Sequence, residues 1–161
     1  MVREEAQKLE LKDQLRNTLE EARMVLPGIQ ALFGFQLVVI FQPQFEKVLT
    51  NPETRIHLLA TGLSAIAAAM AIAPASLQRR AEPDRVTESL LRVATCQLAL
   101  AMWPLSIAVA LDFGLLARIV LKDATLAWSL ALGLFAMYLY LWVIYPRLFG
   151  AKTPVHPEHA S

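Results

Sequence analysis

The sequence predicts an all-α integral membrane protein, a four-helix bundle preceded by an N-terminal cytoplasmic amphipathic helix. Three observations carry this. Hydrophobic residues make up 56% of the 161-residue chain and charged residues 18%, against about 45–50% and about 25% in soluble domains. The charged residues are absent from four long windows, 24–45, 56–78, 93–111 and 124–146. No window shows the strict two-residue alternation of a membrane β-strand.

Each window has the length of a transmembrane helix, since about 20 residues rising 1.5 Å apiece cross a hydrocarbon core about 30 Å thick. Four such segments in so short a chain leave too little polar surface to cover them, so lipid must do so. Backbone amides find no water there, and with a barrel excluded the spans must be helical. The predicted organisation is an amphipathic helix over 1–23, a membrane domain over 24–148 and a flexible tail over 149–161.

The flanking residues supply starts and stops. Asn51-Pro52 reads as an N-cap followed by a proline in the first helical position, opening the second span. Arg79 and Arg80 close that span, and Pro83-Asp84 can open the third helix. Glu88 and Arg92, one turn apart, indicate that this helix begins before its membrane part. Asp123 can cap the fourth span and Pro146 can close it.

Basic residues set the predicted orientation. The N-terminal segment, the connection between spans two and three, and the tail together carry eleven Lys and Arg; the opposite side has Lys47, Arg55, Arg118 and Lys122. The richer side stays in the cytoplasm, which puts both termini inside. Tyr138, Tyr140, Trp142 and Tyr145 then form an aromatic belt at the inner end of span four, with Trp128 near its outer end. The expected location is a bacterial cytoplasmic membrane. A net charge of +1 gives no field that would recruit nucleic acid.

Leu11, Leu15, Leu19, Ala22 and Leu26 recur at helical spacing and give the N-terminal segment one apolar stripe. Pro27-Gly28 then interrupts the pattern. The reading is a helix lying along the cytoplasmic surface that turns into the bilayer at Pro27. It packs on its own bundle or a twin subunit, or docks another protein. Its six acidic residues outnumber its five basic ones, unlike a polybasic lipid-binding helix.

Within the windows no Asp, Glu, Lys or Arg occurs. Asp112 follows the third, Glu46 and Lys47 flank the first, and His57 opens the second. A histidine at an interface forms a hydrogen bond or ligates a haem or pigment. The neutral polar residues Gln30, Gln36, Thr61 and Ser64 are candidates for inter-helix bonds or for lining a polar path. The two glutamines stand out because a buried amide is costly without a partner. Six residues apart, they fall on different helix faces.

Span two reads as a packing surface. Ala60, Ser64 and Ala68 form one ridge of small residues, and Ala65, Ala69 and Ala73 the neighbouring ridge. Pro27, Pro74 and Pro104 are candidate kinks. The lone Cys96 excludes an intramolecular disulfide and reads as a buried, inert thiol. His156-Pro157-Glu158-His159 lacks the further ligands and rigid frame of a metal site. No P-loop, dinucleotide fingerprint, HExxH or nucleophile elbow is present. No catalytic, cofactor or metal residues are assigned.

The run Leu26-Pro27-Gly28-Ile29-Gln30-Ala31-Leu32-Phe33-Gly34-Phe35-Gln36, continuing to Phe41 and Phe45, resembles the first span of an uncharacterised bacterial family of four-span membrane proteins. Arg23, Ile72-Ala73-Pro74 and Arg92 extend the resemblance, which covers residues 15–148. Members are sometimes loosely labelled sodium/proton antiporters. The windows of this chain hold no buried carboxylate with which to exchange a proton for a cation.

These features predict a non-enzymatic membrane protein acting through helix packing, as a homo-oligomer or an accessory subunit of a membrane complex. The competing expectation is a small transporter or channel whose neutral polar path runs between helices or subunits.

Overall fold

The computed structural model describes residues 2–80 and 88–149. All of their regular structure is helical: α1 (Val2–Ile40), α2 (Phe45–Val48), α3 (Asn51–Arg80), α4 (Glu88–Leu121), α5 (Ala124–Leu139), a π-helical turn (Tyr140–Ile144) and α6 (Tyr145–Phe149). Among the described residues four helical segments, Leu9–Ile40, Asn51–Leu77, Glu88–Leu121 and Ala124–Leu148, are long and apolar enough to cross a membrane. The expected start of the third helix at Pro83-Asp84 and the histidines of the tail lie outside the described residues.

α3 and α4 form the most extensively packed pair; α5 packs on α4, and α1 packs on α3 and less extensively on α4. The core is built from small residues. Ala22 and Ile29 of α1 meet Ala67 and Ala71 of α3 and Leu98 and Ala101 of α4, with Leu26, Met70 and Leu105 packed around them. Methyl-sized side chains let the helix backbones approach, which is how helices associate where lipid removes the hydrophobic drive. Large side chains such as Phe35, Phe41, Leu58, Leu116 and Leu132 point outward instead.

Several boundaries differ from the sequence reading. α1 continues through Pro27 rather than breaking there, so residues 1–23 contribute no separate surface helix among the described positions. Its apolar stripe turns inward: Leu15 and Ala22 are buried, and Leu11, Leu19 and Leu26 are half-buried. The first apolar helix ends at Ile40 rather than at Phe45, which instead opens α2. α4 does not stop at Leu111 but carries Asp112 and Arg118 within its last three turns. A charge ended the predicted window there, although it does not end a helix whose charged side chains find partners.

The start of α3 also shifts by one residue. Thr50 accepts the first helical bond through its carbonyl, from Thr54 N–H at 2.9 Å. The Glu53 carboxylate reaches back to Thr50 N–H at 2.8 Å and to its hydroxyl at 2.7 Å. Thr50, not Asn51, is therefore the cap, and Glu53 supplies the returning half of a capping box. Asp123 caps α5 by accepting from Leu126 N–H at 3.1 Å. Lys122 turns the chain between α4 and α5 with φ 57°, a left-handed conformation costing roughly 1–2 kcal/mol for a residue with a Cβ.

Pro146 does not end the last helix. A proline ring clashes with the carbonyl four residues earlier and removes one N–H, which here concerns Trp142. The π-helical turn just before it, closed by Tyr145 N–H to Tyr140 carbonyl, moves the ladder to i→i+5 spacing and accommodates the proline. Pro27, Pro74 and Pro104 also lie inside helices.

Of the two small-residue ridges on α3, the buried face holds Ala60 and Ser64 together with Ala67, Ala71 and Pro74, while Ala68 is half-buried. The predicted second ridge faces outward: Ala65 and Ala69 are exposed and Ala73 is half-buried. The ridge therefore runs through Ala67 and Ala71 rather than along an unbroken four-residue spacing. Cys96, expected to be buried, is exposed on α4.

Candidate functional site: a buried polar cluster joining three helices

Glu53, His57, Thr61 and Ser64 lie on one face of α3, and all four are buried. Spacings of four, four and three residues hold them within one stripe. Eleven residues at 1.5 Å apiece extend it about 16 Å along the helix, half the thickness of a hydrocarbon core. Gln36 from the end of α1 and Asp112 and Arg118 from α4 meet this stripe.

His57 is the centre. Its Nδ1 lies 3.0 Å from Asp112 Oδ1 and its Nε2 lies 3.0 Å from the Gln36 carbonyl oxygen. The Gln36 side chain closes the ring, donating from Nε2 to Asp112 Oδ2 at 2.5 Å. One residue of α1 thus clamps the histidine through its backbone and the aspartate through its amide. The Gln36 carbonyl belongs to the last turns of α1, where the helix dipole leaves partial negative charge facing the ring N–H.

Hydrogen-bond accounting assigns the protons. A carbonyl oxygen only accepts, so His57 Nε2 must carry hydrogen. The opposite side of the ring then needs one proton between Nδ1 and Oδ1, held as imidazolium with carboxylate or as imidazole with carboxylic acid. Without it two lone pairs would face each other across 3.0 Å. The cluster is complete only with that shared proton in place.

The surroundings fix the ring. Phe45 of α2 meets His57 edge to face at 5.6 Å between centroids, so the short helix packs against the ring. Thr61 donates its hydroxyl to the His57 carbonyl at 2.9 Å. Further out, Arg118 Nε pairs with Glu53 Oε1 at 2.6 Å. The 53–118 and 57–112 pairs run in opposite chain directions, as antiparallel neighbours require. Deeper in the bundle, about 10–21 Å along the helices, the alanine-rich core of Ala22, Ile29, Ala67 and Ala71 replaces polar contacts.

Of the residues singled out from the sequence, Gln36, Thr61 and Ser64 lie in the buried stripe region, whereas Gln30 is exposed on the far face of α1. Gln36 Oε1 and Ser64 Oγ are buried without a hydrogen-bond partner. Both His57 nitrogens are occupied, which leaves neither for a haem iron or pigment. Among the described residues no group of three His, Cys, Asp or Glu could hold a metal ion.

Sequence reasoning missed Asp112, Glu53 and Arg118 because it placed them beyond the ends of spans. The signal was present in the flanks: acid and histidine open one window, and acid and arginine follow the next. An antiparallel hairpin brings those two flanks together.

No curated protein and no solved structure matches the chain. A family of unknown function, DUF6328, matches residues 4–146, nearly the whole described chain, and the protein belongs to it.

Proposed function

We propose that this chain is a non-enzymatic, multi-pass protein of a bacterial cytoplasmic membrane that acts through helix packing, as a homo-oligomer or as an accessory subunit of a membrane complex. The observation that carries the reading is the open small-residue face of α3. Gly62, Ala65 and Ala69 are exposed there, at the spacing that lets a second helix approach closely. Only 11% of the apolar window in the first and last spans is buried within the chain, so most of their surface is left for lipid or for other helices. The polar cluster supports the same reading, since His57, Asp112, Glu53 and Arg118 satisfy one another and leave no activated nucleophile. The imbalance of basic residues supports cytoplasmic termini and, with them, an outer position for the cluster.

Site-specific cross-linking tests the contact. On a Cys96→Ser background, Ala65→Cys or Ala69→Cys should give a specific cross-linked band in native membranes. Cysteine at Leu132, an exposed site on α5, should not. Equal cross-linking at all three positions, or none at α3, removes α3 as the contact.

A second reading is favoured by a separate observation, the buried stripe of Glu53, His57, Thr61 and Ser64 with its unpartnered Ser64 Oγ. Ionisable groups at membrane depth commonly mark ion or proton pathways. On this reading the chain is a small transporter whose path enters at the outer end within one bundle, rather than along Gln30. Proton-driven flux into proteoliposomes that is lost in His57→Phe, with the fold retained, would select it.

A further inference from the structure

A cleft lies away from the polar cluster, toward the end of the bundle where α5 passes into the π-helical turn. Its volume is about 550 Å³, within the range of roughly 300–1,000 Å³ typical of small-molecule sites. Its walls are apolar and aromatic. Trp103 of α4 lines it from one side and Tyr138 and Trp142 from the other, the latter two rings tilted by 33° with centroids 4.7 Å apart. The π-helical turn supplies part of the wall through Leu141, Trp142 and Val143.

The rim carries opposite charges. Glu21 of α1 and Arg147 of α6 both line the cleft, and both are exposed. The aromatic belt of Tyr138, Tyr140, Trp142 and Tyr145 sits at this level, the depth at which lipid headgroups meet hydrocarbon. An apolar slot open at headgroup depth, with a carboxylate and a guanidinium at its mouth, is complementary to one kind of molecule. That molecule has an apolar tail, a phosphate and an ammonium group.

We propose that the cleft is a binding site for a single zwitterionic aminophospholipid. The phosphate pairs with Arg147, whose planar fork of donors suits phosphate oxygens. The ammonium pairs with Glu21, and one acyl chain lies between Trp103 and Trp142. Glu21 disfavours a purely anionic headgroup and so sets the selectivity. The proposal rests on the membrane location and is independent of oligomerisation through α3.

The test uses the full-length protein, delipidated in mild detergent and titrated with phosphatidylethanolamine or phosphatidylglycerol. Native mass spectrometry counts bound lipid, and bromine on the acyl chain reports proximity through tryptophan quenching. One phosphatidylethanolamine should bind at least tenfold more tightly than phosphatidylglycerol, with quenching reduced in Trp142→Leu. Arg147→Gln should weaken binding of both lipids about tenfold. Glu21→Gln should keep phosphatidylglycerol binding and erase the preference. Both charges are on exposed side chains, so these variants leave the core intact, and an unchanged melting temperature verifies it. Equal affinity for the two lipids, a preference for phosphatidylglycerol, or wild-type selectivity in Glu21→Gln overturns the proposal.

Discussion

Replacing Asp112 by alanine removes the partner of two hydrogen bonds, one with His57 Nδ1 at 3.0 Å and one from Gln36 Nε2 at 2.5 Å. Bonds to a charged group contribute roughly 1.5–3 kcal/mol each in water-soluble proteins. Inter-helix bonds in membranes average nearer 0.6 kcal/mol, because the unfolded helices also find partners. Two features place this case toward the upper end. His57 is left buried with an unmatched ring nitrogen, and removing one partner of a buried pair costs about 3–5 kcal/mol. The expected loss is therefore about 3 kcal/mol, close to a 150-fold shift in the unfolding equilibrium. Asp112→Asn keeps an acceptor for Gln36 and should cost only about 1 kcal/mol. The assay is unfolding in mixed micelles by increasing SDS fraction, followed by tryptophan fluorescence. His57→Ala should lose a similar amount. The double variant should fall short of the sum by about 1–3 kcal/mol, since the two residues share one interaction. A loss below about 0.5 kcal/mol in Asp112→Ala, the size of an ordinary surface change, would refute the cluster's structural role, as would strict additivity.

Two other substitutions probe the packing around this cluster. A Cβ at Gly114 would stand 2.7 Å from Trp128 Cζ3 and 3.1 Å from Ala131 Cβ. Gly114→Ala must therefore push α5 from α4 and should cost about 1–3 kcal/mol by overpacking, read in the same micelle assay; an unchanged midpoint would contradict the close approach. Lys122→Gly relieves the left-handed backbone at φ 57° and should stabilise the α4–α5 turn by about 1 kcal/mol, visible as a raised melting temperature.

Four spans were legible because hydropathy and span length are properties of contiguous sequence. The cap at Asp123 was legible for the same reason, since a capping side chain reaches only three residues ahead. The polar cluster was only partly so. Gln36 stood out as an amide that needs a partner, and His57 as an interfacial histidine. Their partner Asp112 was read as the end of a span, because a window defined by lacking charge must stop at the first charge. Whether a charged residue ends a helix depends on what faces it, and Asp112 faces groups 55 and 76 residues away in sequence. The continuity of α1 through Pro27 was hidden similarly. A proline marks a missing hydrogen bond, but neighbouring helices decide whether the backbone bends there. The split between the two alanine ridges of α3 also follows from which neighbours α1 and α4 supply, a tertiary fact that small-residue spacing alone does not contain.

The measurement that tests the central claim most directly is native mass spectrometry of the protein extracted gently from its own membrane, beside an Ala65→Ile/Ala69→Ile variant. The account predicts a homo-oligomer, or a stoichiometric complex with another membrane protein, that the variant disrupts while keeping its fold, because both alanines are exposed within one chain. A partnerless monomer from native membranes, or an assembly indifferent to both substitutions, would contradict it.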